Sequence, residues 1–312
     1  MSIRGGCRII WPMENNAADD GLSDFISVRP RLFGIAYRML GSAVEAEDVV
    51  QDAWMRWQTT DRSAVLNPAA FLVTTTTRLA INVCESARTR RETYVGPWLP
   101  EPIDTSEDPR LGAERGEALE LAVLLLLEKL PPTERAAYTL REAFDYPYRD
   151  IADILQTTEA NTRQLVTRAR KHIADGRRAS VSNTERSRFL NAFISAARNG
   201  DLLGLEALFA SDVVSMSDGG GFVRAARNPV VGRDRVAKFI SSVTWFWSGV
   251  KVDEVEANGQ PCMLISRGGA AVVLVVVDAT ADGINQIWWL MRPSKLSAIA
   301  PALSRLGPQS ST

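Results

Sequence analysis

LPPTERAAYTLREAFDYPYRDIADILQTTEANTRQLVTRARKHI, residues Leu130–Ile173, decides how the front half of this chain folds. It reads as three helices with a tight turn before the last. Pro131-Pro132 opens the first, Tyr148–Leu155 forms the second, and Gln156-Thr157-Thr158 is the turn, with Thr158 as N-cap and Asn161 three residues on. At 100° per residue, Leu165, Val166, Ala169 and Ile173 form one apolar stripe over 160–173. Arg163, Gln164, Thr167, Arg168, Arg170 and Lys171 fan over the other side. A core stripe backed by guanidiniums and amides suits a helix that enters a DNA major groove. Arg163 and Gln164 can each bond two atoms of one base edge. Arg170, Lys171, Arg177 and Arg178 suit phosphates, which add affinity but no sequence choice. The plainer reading is a solvated amphipathic helix. The short helix, polar turn and basic helix occurring together weigh against it. His172, the sole histidine, reads as a partly exposed helix residue rather than a catalyst.

Upstream, apolar periodicity predicts a helix over 22–40, stopped by Gly41, and a second over 43–57, capped by Ser42. The second buries Val49, Val50, Ala53, Trp54 and Trp57 and turns Asp48, Gln51, Asp52 and Met55 outward. Pro68 sits well as the first residue of a third helix reaching about Arg91. Residues 93–112, rich in Pro, Gly, Asp and Glu, have linker composition. Residues 113–129 return to helix.

Downstream, 174–184 is a second linker, after which the character changes. Helices are expected at 185–199, 201–210 and 232–246. Four strand-like runs follow, Val250–Ala257, Cys262–Arg267, Ala270–Asp278 and Ile284–Met291, separated by Asn258-Gly259, Gly268-Gly269 and Asp282-Gly283. Helices and then an antiparallel meander is an α+β pattern. Asp253 and Asp278 are placed at strand-edge positions. Trp245, Trp247, Trp288 and Trp289 cluster around these strands, either as core or as the wall of a site for a small hydrophobic ligand.

The 312 residues call for more than one compact unit, and 46% hydrophobic content is ample for their cores. A net charge of −1 is low for a nucleic-acid binder, but the charge is blocked. Glu45, Glu47, Asp48 and Asp52 form an acidic stripe. Arg78, Arg88, Arg90 and Arg91 form a basic one, and Arg163, Arg168, Arg170, Lys171, Arg177 and Arg178 another against Asp175 alone. Such alternation suggests a DNA face beside a face for a basic protein partner. Cys7, Cys84 and Cys262 lack CxxC spacing, so neither a disulfide framework nor a metal site is expected. The apolar runs Leu121–Leu127 and Ala270–Val277 are far too short to cross a bilayer. Residues 1–20 read as a disordered leader without a secretory h-region. A cytoplasmic location is expected.

RPRLFGIAYRMLGSAVEAEDVVQDAWMRW, NPAAFLVTTTTRLAINVCESARTRRE and LPPTERAAYTLREAFDYPYRDIADIL with TRARKHI together resemble the extracytoplasmic-function (group IV) sigma factors of the sigma-70 family. The likeness covers about residues 22–178 in order and spacing. It implies a multidomain fold: two all-α sigma domains, a region 2 bundle (21–92) and a region 4 helix-turn-helix (113–178), joined by the acidic linker 93–112. It implies that Asp48, Gln51, Asp52 and Met55 dock on the clamp helices of the polymerase β′ subunit. Residues 58–67 then match the loop that captures a flipped minus-10 base. Arg78, Asn82, Arg88, Arg90 and Arg91 lie along the helix that grips that DNA, Asn82 standing where relatives often have Asp. Arg163, Gln164, Thr167, Arg168, Arg170 and Lys171 match the minus-35 reader. Partners implied are core RNA polymerase (β′ clamp helices and β flap) and promoter DNA. No cofactor, metal, membrane or enzymatic activity is implied. Polymerase itself would supply much of the phosphate neutralisation, which accounts for the low net charge. Glu101, Asp104, Glu107 and Asp108 would either mimic RNA in a polymerase channel or form a solvated tether.

WLPEP at Trp98–Pro102 and the long C-terminal part resemble the sigma-J-like subgroup with a fused SnoaL-like domain, an α+β cone expected at 185–300 after a 179–184 linker and before a 301–312 tail. Phe189, Phe193, Leu202, Leu205, Leu208 and Phe209 would line the cone. The subgroup's DGGG motif stands as Asp218, Gly219, Gly220 and Gly221, followed by Phe222 where relatives often have Lys. Its NPDKL appears as Arg292-Pro293-Ser294-Lys295-Leu296. The resemblance implies that this domain modulates activity in cis, its loop and residues 292–296 touching the linker near Trp98 and Pro100. The residues leave one alternative standing: a ligand-responsive helix-turn-helix regulator acting without polymerase.

Overall fold

Helix α1 (Leu22–Leu40) ends where Gly41 takes a left-handed φ of 65° and returns its N–H to the Tyr37 carbonyl. Ser42 then accepts from the Glu45 N–H and starts α2 (Ala43–Thr59). Asn67 caps α3 (Pro68–Glu92), with Pro68 in the first turn. After the linker come α4 (Leu121–Glu128), α5 (Pro132–Tyr138) with a π-helical turn at Thr139–Ala143, α6 (Tyr148–Leu155) and α7 (Glu159–Gly176). This computed structural model describes residues 21–106 and 119–299, without the side chains of residues 88–90 and 92. The leader, the tail, Glu107 and Asp108 lie outside the described residues. The helix expected from 113 is described only from Leu121.

The two helical sets share one hydrophobic core. Leu32, Ile35, Tyr37, Val50, Trp57 and Leu72 from α1–α3 belong to the same buried cluster as Leu124, Leu140, Ile151, Val166 and Ile173 from α4–α7. The DNA-binding halves expected from the sequence therefore pack on each other rather than standing apart.

The C-terminal part holds α8 (Asn183–Asn199), α9 (Leu202–Leu208), β1 (Phe209–Asp218), β2 (Val230–Val231), α10 (Arg233–Ser241), β3 (Lys251–Ala257), β4 (Gln260–Arg267), β5 (Ala270–Thr280), β6 (Gly283–Leu290) and α11 (Pro293–Leu296). The sheet runs β2-β1-β6-β5-β4-β3. The four expected strands form the meander. The sequence reading missed β1 and β2, and β1 pairs parallel to β6, so the sheet is mixed rather than a pure antiparallel meander.

Both faces of this sheet are covered. Met263, Ile265, Val273, Val275, Val277, Ile287 and Trp289 pack with Phe193, Leu205, Val236 and Ile240 of α8–α10. Cys262, Leu264, Leu274, Val276, Trp288 and Leu290 pack with Leu99 of the linker, Leu121 of α4, Leu296 and Ile299. Two-sided burial explains the unbroken apolar run in β5.

Phe193, Leu205 and Phe209 are buried in the core between the helices and the sheet, with Phe189, Leu202 and Leu208 packed against it. Two expectations change. Trp288 and Trp289 face opposite sides of β6 and Trp245 is exposed, so the four tryptophans form no common wall. Asp278 sits in an interior strand, buried, and accepts from Ser180 Oγ at 2.9 Å; only Asp253 lies on an edge strand. No helix among the described residues is long and apolar enough to cross a membrane.

The Phe193 ring meets Phe209 at 6.1 Å and Trp289 at 5.9 Å. Phe193→Ala should cost about 3–5 kcal/mol of C-terminal domain stability in denaturant titration. A cost under about 1 kcal/mol would contradict this packing.

Candidate nucleic-acid interface and linker clamp

On α7 the Thr158 hydroxyl accepts from the Asn161 N–H, and Thr162, Leu165, Val166, Ala169 and Ile173 are buried. Arg163, Gln164, Thr167, Arg168, Arg170 and Lys171 are all exposed on the opposite side. Arg163 pairs with Glu159, Arg168 Nε with Glu134 at 2.7 Å, and Arg170 Nη2 with Glu142 at 2.7 Å. These are exposed or half-exposed pairs worth at most about 1 kcal/mol each, so a phosphate or base edge can displace them. Arg177 and Arg178 instead face Glu120 and Asp212, at the junction with the C-terminal domain.

On α2, Ala46, Val49, Val50, Ala53 and Trp57 are buried. Asp48, Gln51, Asp52 and Met55 form an exposed stripe. The side of α3 is not equally free. Arg78 donates through Nε to the Ile154 carbonyl at 2.9 Å and through Nη2 to the Asp153 carbonyl at 3.2 Å. These are carbonyls in the last turn of α6, where a cation finds both an acceptor and the negative end of the helix dipole. Arg91 is bound to Glu128 at 2.5 Å and to the Leu40 carbonyl at 2.5 Å, and lies 3.6 Å from the Trp98 ring centre. Burial pushes the Glu128 carboxyl up, against the pull of Arg91. Asn82 is exposed; the Arg88 and Arg90 side chains lie outside the described residues.

The described part of the linker is held closely on both sides. Its prolines, Pro97, Pro100 and Pro102, bring no N–H to satisfy. The residues between the last two and on either side have both backbone groups answered. Leu99 N–H donates to Asp218 Oδ2 at 3.0 Å, and its carbonyl accepts from Lys295 Nζ. Glu101 N–H donates to the Gly41 carbonyl at 2.7 Å, and its carbonyl accepts from Tyr37 OH at 2.6 Å. Ile103 N–H donates to Asn258 Oδ1 at 3.1 Å, and its carbonyl accepts from the Asn258 N–H at 2.9 Å. The Glu101 carboxylate accepts from the Ala43 and Val44 N–H groups at 2.7 and 3.3 Å, completing the cap of α2. Leu99, Pro100, Pro102 and Ile103 are buried, so this stretch is not a solvated tether.

Asp218 is the centre of the clamp. It is 0% exposed and also accepts from Tyr94 OH at 2.6 Å and Lys295 Nζ at 2.7 Å. Lys295 Nζ lies 4.4 Å from the Trp98 ring centre. Burial lowers the Lys295 ammonium, and Asp218 opposes the shift. Burial and the bond to Asp218 push the Tyr94 hydroxyl up to about 12. The Gly220 position (φ +56°) favours glycine, because a Cβ there would fall 2.7 Å from the Tyr94 hydroxyl and 2.9 Å from Arg292 Cδ and would displace one or both side chains. Arg292 stacks over Phe222 at 5.1 Å. The sequence reading named Trp98, Pro100, Asp218, Gly219, Gly220 and Gly221 here and missed Tyr94, Tyr37 and Asn258. Asn258 carried only a turn signal.

Sigma-70 region 2 matches residues 25–91 and Sigma-70 region 4 matches residues 120–173. The chain is 36% identical over 225 residues to ECF RNA polymerase sigma factor SigJ of Mycobacterium tuberculosis H37Rv, covering 70% of this chain and 72% of that protein. It is 31% identical over 279 residues to the probable ECF RNA polymerase sigma factor SigI of the same species, covering 88% and 94%. The crystal structure of M. tuberculosis SigJ is similar at a TM-score of 0.71 and 28% identity, covering 89% of this chain and 98% of that one.

Removing one partner of a buried ion pair strands the other charge. Asp218→Ala should cost about 3–5 kcal/mol in a denaturant titration and expose the linker to protease, and the double variant with Lys295→Met should recover part of that cost. A loss below about 1 kcal/mol, or strict additivity, would contradict the clamp.

Proposed function

The chain belongs to the extracytoplasmic-function sigma factors of the sigma-70 family, SigJ-like in type, and from that premise we propose how its residues divide the work of initiation. As an RNA polymerase sigma factor it makes initiation promoter-specific. Asp48, Gln51, Asp52 and Met55 dock on the β′ clamp helices, and region 4 docks on the β flap. Arg78, Asn82, Arg88, Arg90 and Arg91 hold the minus-10 DNA. Arg163, Gln164, Thr167 and Arg168 read the minus-35 element, with Arg170 and Lys171 on phosphates. The factor works in the cytoplasm and performs no covalent chemistry.

One observation carries this reading. The acidic stripe of α2 is open to solvent, while Arg78 and Arg91 are spent on carbonyls and carboxylates of the same chain. A chain so arranged can meet polymerase first but cannot grip minus-10 DNA until its helical halves part. The C-terminal domain holds the halves together through Asp218, the glycine loop and Lys295 on the linker at Trp98–Pro100, which makes it a regulator in cis. The rival regulator acting without polymerase would use α7 alone and gives the exposed acidic stripe of α2 no role. A hydrophobic ligand of the C-terminal domain has no part in this reading, since its aromatic side chains are packed as core or turned to solvent.

Run-off transcription with core polymerase on the gene's own upstream region is the direct test. Promoter-specific transcripts are expected with the chain and none without it; tight operator binding by the chain alone, with no transcripts, would favour the rival. Within that assay, Arg163→Ala should cost about 1–3 kcal/mol at one minus-35 base pair and relax preference there. Lys171→Ala should weaken all promoters alike and flatten the salt dependence. Equal effects of both on every sequence would contradict the division of labour.

A further inference from the structure

The β3–β4 hairpin ends in Asn258-Gly259, an ordinary turn by its sequence, yet Asn258 is 3% exposed. Its φ of 55° is the left-handed conformation that asparagine tolerates better than most residues. Its amide nitrogen donates to Tyr37 OH on α1 at 2.7 Å and to the Leu119 carbonyl before α4 at 3.0 Å. Its amide oxygen accepts from the Ile103 N–H at 3.1 Å. Only one orientation of the amide satisfies two acceptors and one donor together, so the group is fixed as well as saturated. One side chain of the C-terminal domain thus touches region 2, the linker and the start of region 4.

The neighbouring contacts extend the grip. Gly259 N–H donates to Thr105 Oγ1 at 2.9 Å, and Thr105 Oγ1 donates to Glu256 Oε1 at 2.8 Å. Asp104 forms an antiparallel bridge with Ala257. Tyr37, which accepts from Asn258, gives its own proton to the Glu101 carbonyl, and the Glu101 carboxylate caps α2. The hairpin tip is therefore joined, through one hydroxyl and one linker residue, to the start of the helix assigned to polymerase docking.

We propose that Asn258 is a second latch, separate from the Asp218–Lys295 clamp, by which the C-terminal domain holds region 2, the linker and region 4 in the closed arrangement. The two latches grip opposite ends of the same buried stretch, Leu99 at one and Ile103 at the other, so the linker cannot straighten until both let go. This rests on reading the C-terminal domain as a regulator in cis.

The test compares full-length Asn258→Gly, which keeps the left-handed turn and removes the amide, with Asn258→Asp, which keeps the shape and loses both donors. Tyr37→Phe removes the partner hydroxyl from the other side. Hydrogen exchange should quicken at least about tenfold over residues 101–105 in all three, with β4 and β5 unchanged, and core-dependent transcription should rise severalfold. Unaltered exchange at Ile103 would overturn the latch. Faster exchange with unaltered transcription would leave the contact standing and overturn the regulatory reading beneath it.

Discussion

A main chain buried between domains has to have its hydrogen bonds answered one by one, and Leu99, Glu101 and Ile103 meet that demand with partners from separate bodies. The prolines at 100 and 102 shrink the problem by removing donors, and they hold the backbone extended. What remains is three N–H groups, those of Leu99, Glu101 and Ile103, and the carbonyls of the same three residues are also answered. The C-terminal domain answers the outer two, Leu99 and Ile103, and region 2 answers Glu101 between them. Neither neighbour alone could bury this stretch. The closed arrangement of the molecule follows from that shared accounting.

The closure also decides which chemistry is on offer. Cationic side chains of the helix assigned to minus-10 DNA are satisfied by the last-turn carbonyls of α1 and α6 and by Glu128, groups that stand where phosphates would otherwise be needed. The exposed face of α7, proposed to read the minus-35 element, carries ion pairs at the surface, and the acidic face of α2 stays open. A net charge of −1 is no obstacle to the proposed role, in which polymerase shares the neutralisation of DNA phosphates.

Local signals carried much of the fold in the sequence. The stripe of Leu165, Val166, Ala169 and Ile173, the caps at Ser42 and Thr158, Pro68 at the start of α3 and the stop at Gly41 rest on short-range geometry and stand in the structure as read. The β1 strand was not legible, because FASDVVSMSD mixes polar residues without clean alternation and pairs in parallel with β6, a partner more than sixty residues away. Arg78 and Arg91 read as free cations because the carbonyls they meet belong to distant helix ends. Asn258 read correctly as a turn residue; its three long-range partners left no trace in its neighbours. Asp278 read as an edge carboxylate although the meander strands stand in chain order, which places β5 inside the sheet.

The central claim is that the free chain is closed and polymerase opens it. Spin labels on exposed Gln58 of α2 and exposed His172 of α7, with Cys7 replaced, report the separation of the two helical halves directly. The account predicts one narrow, short distance for the chain alone and a long one after core polymerase is added. The same distance in both states, or a broad distribution already present in the free chain, would contradict it.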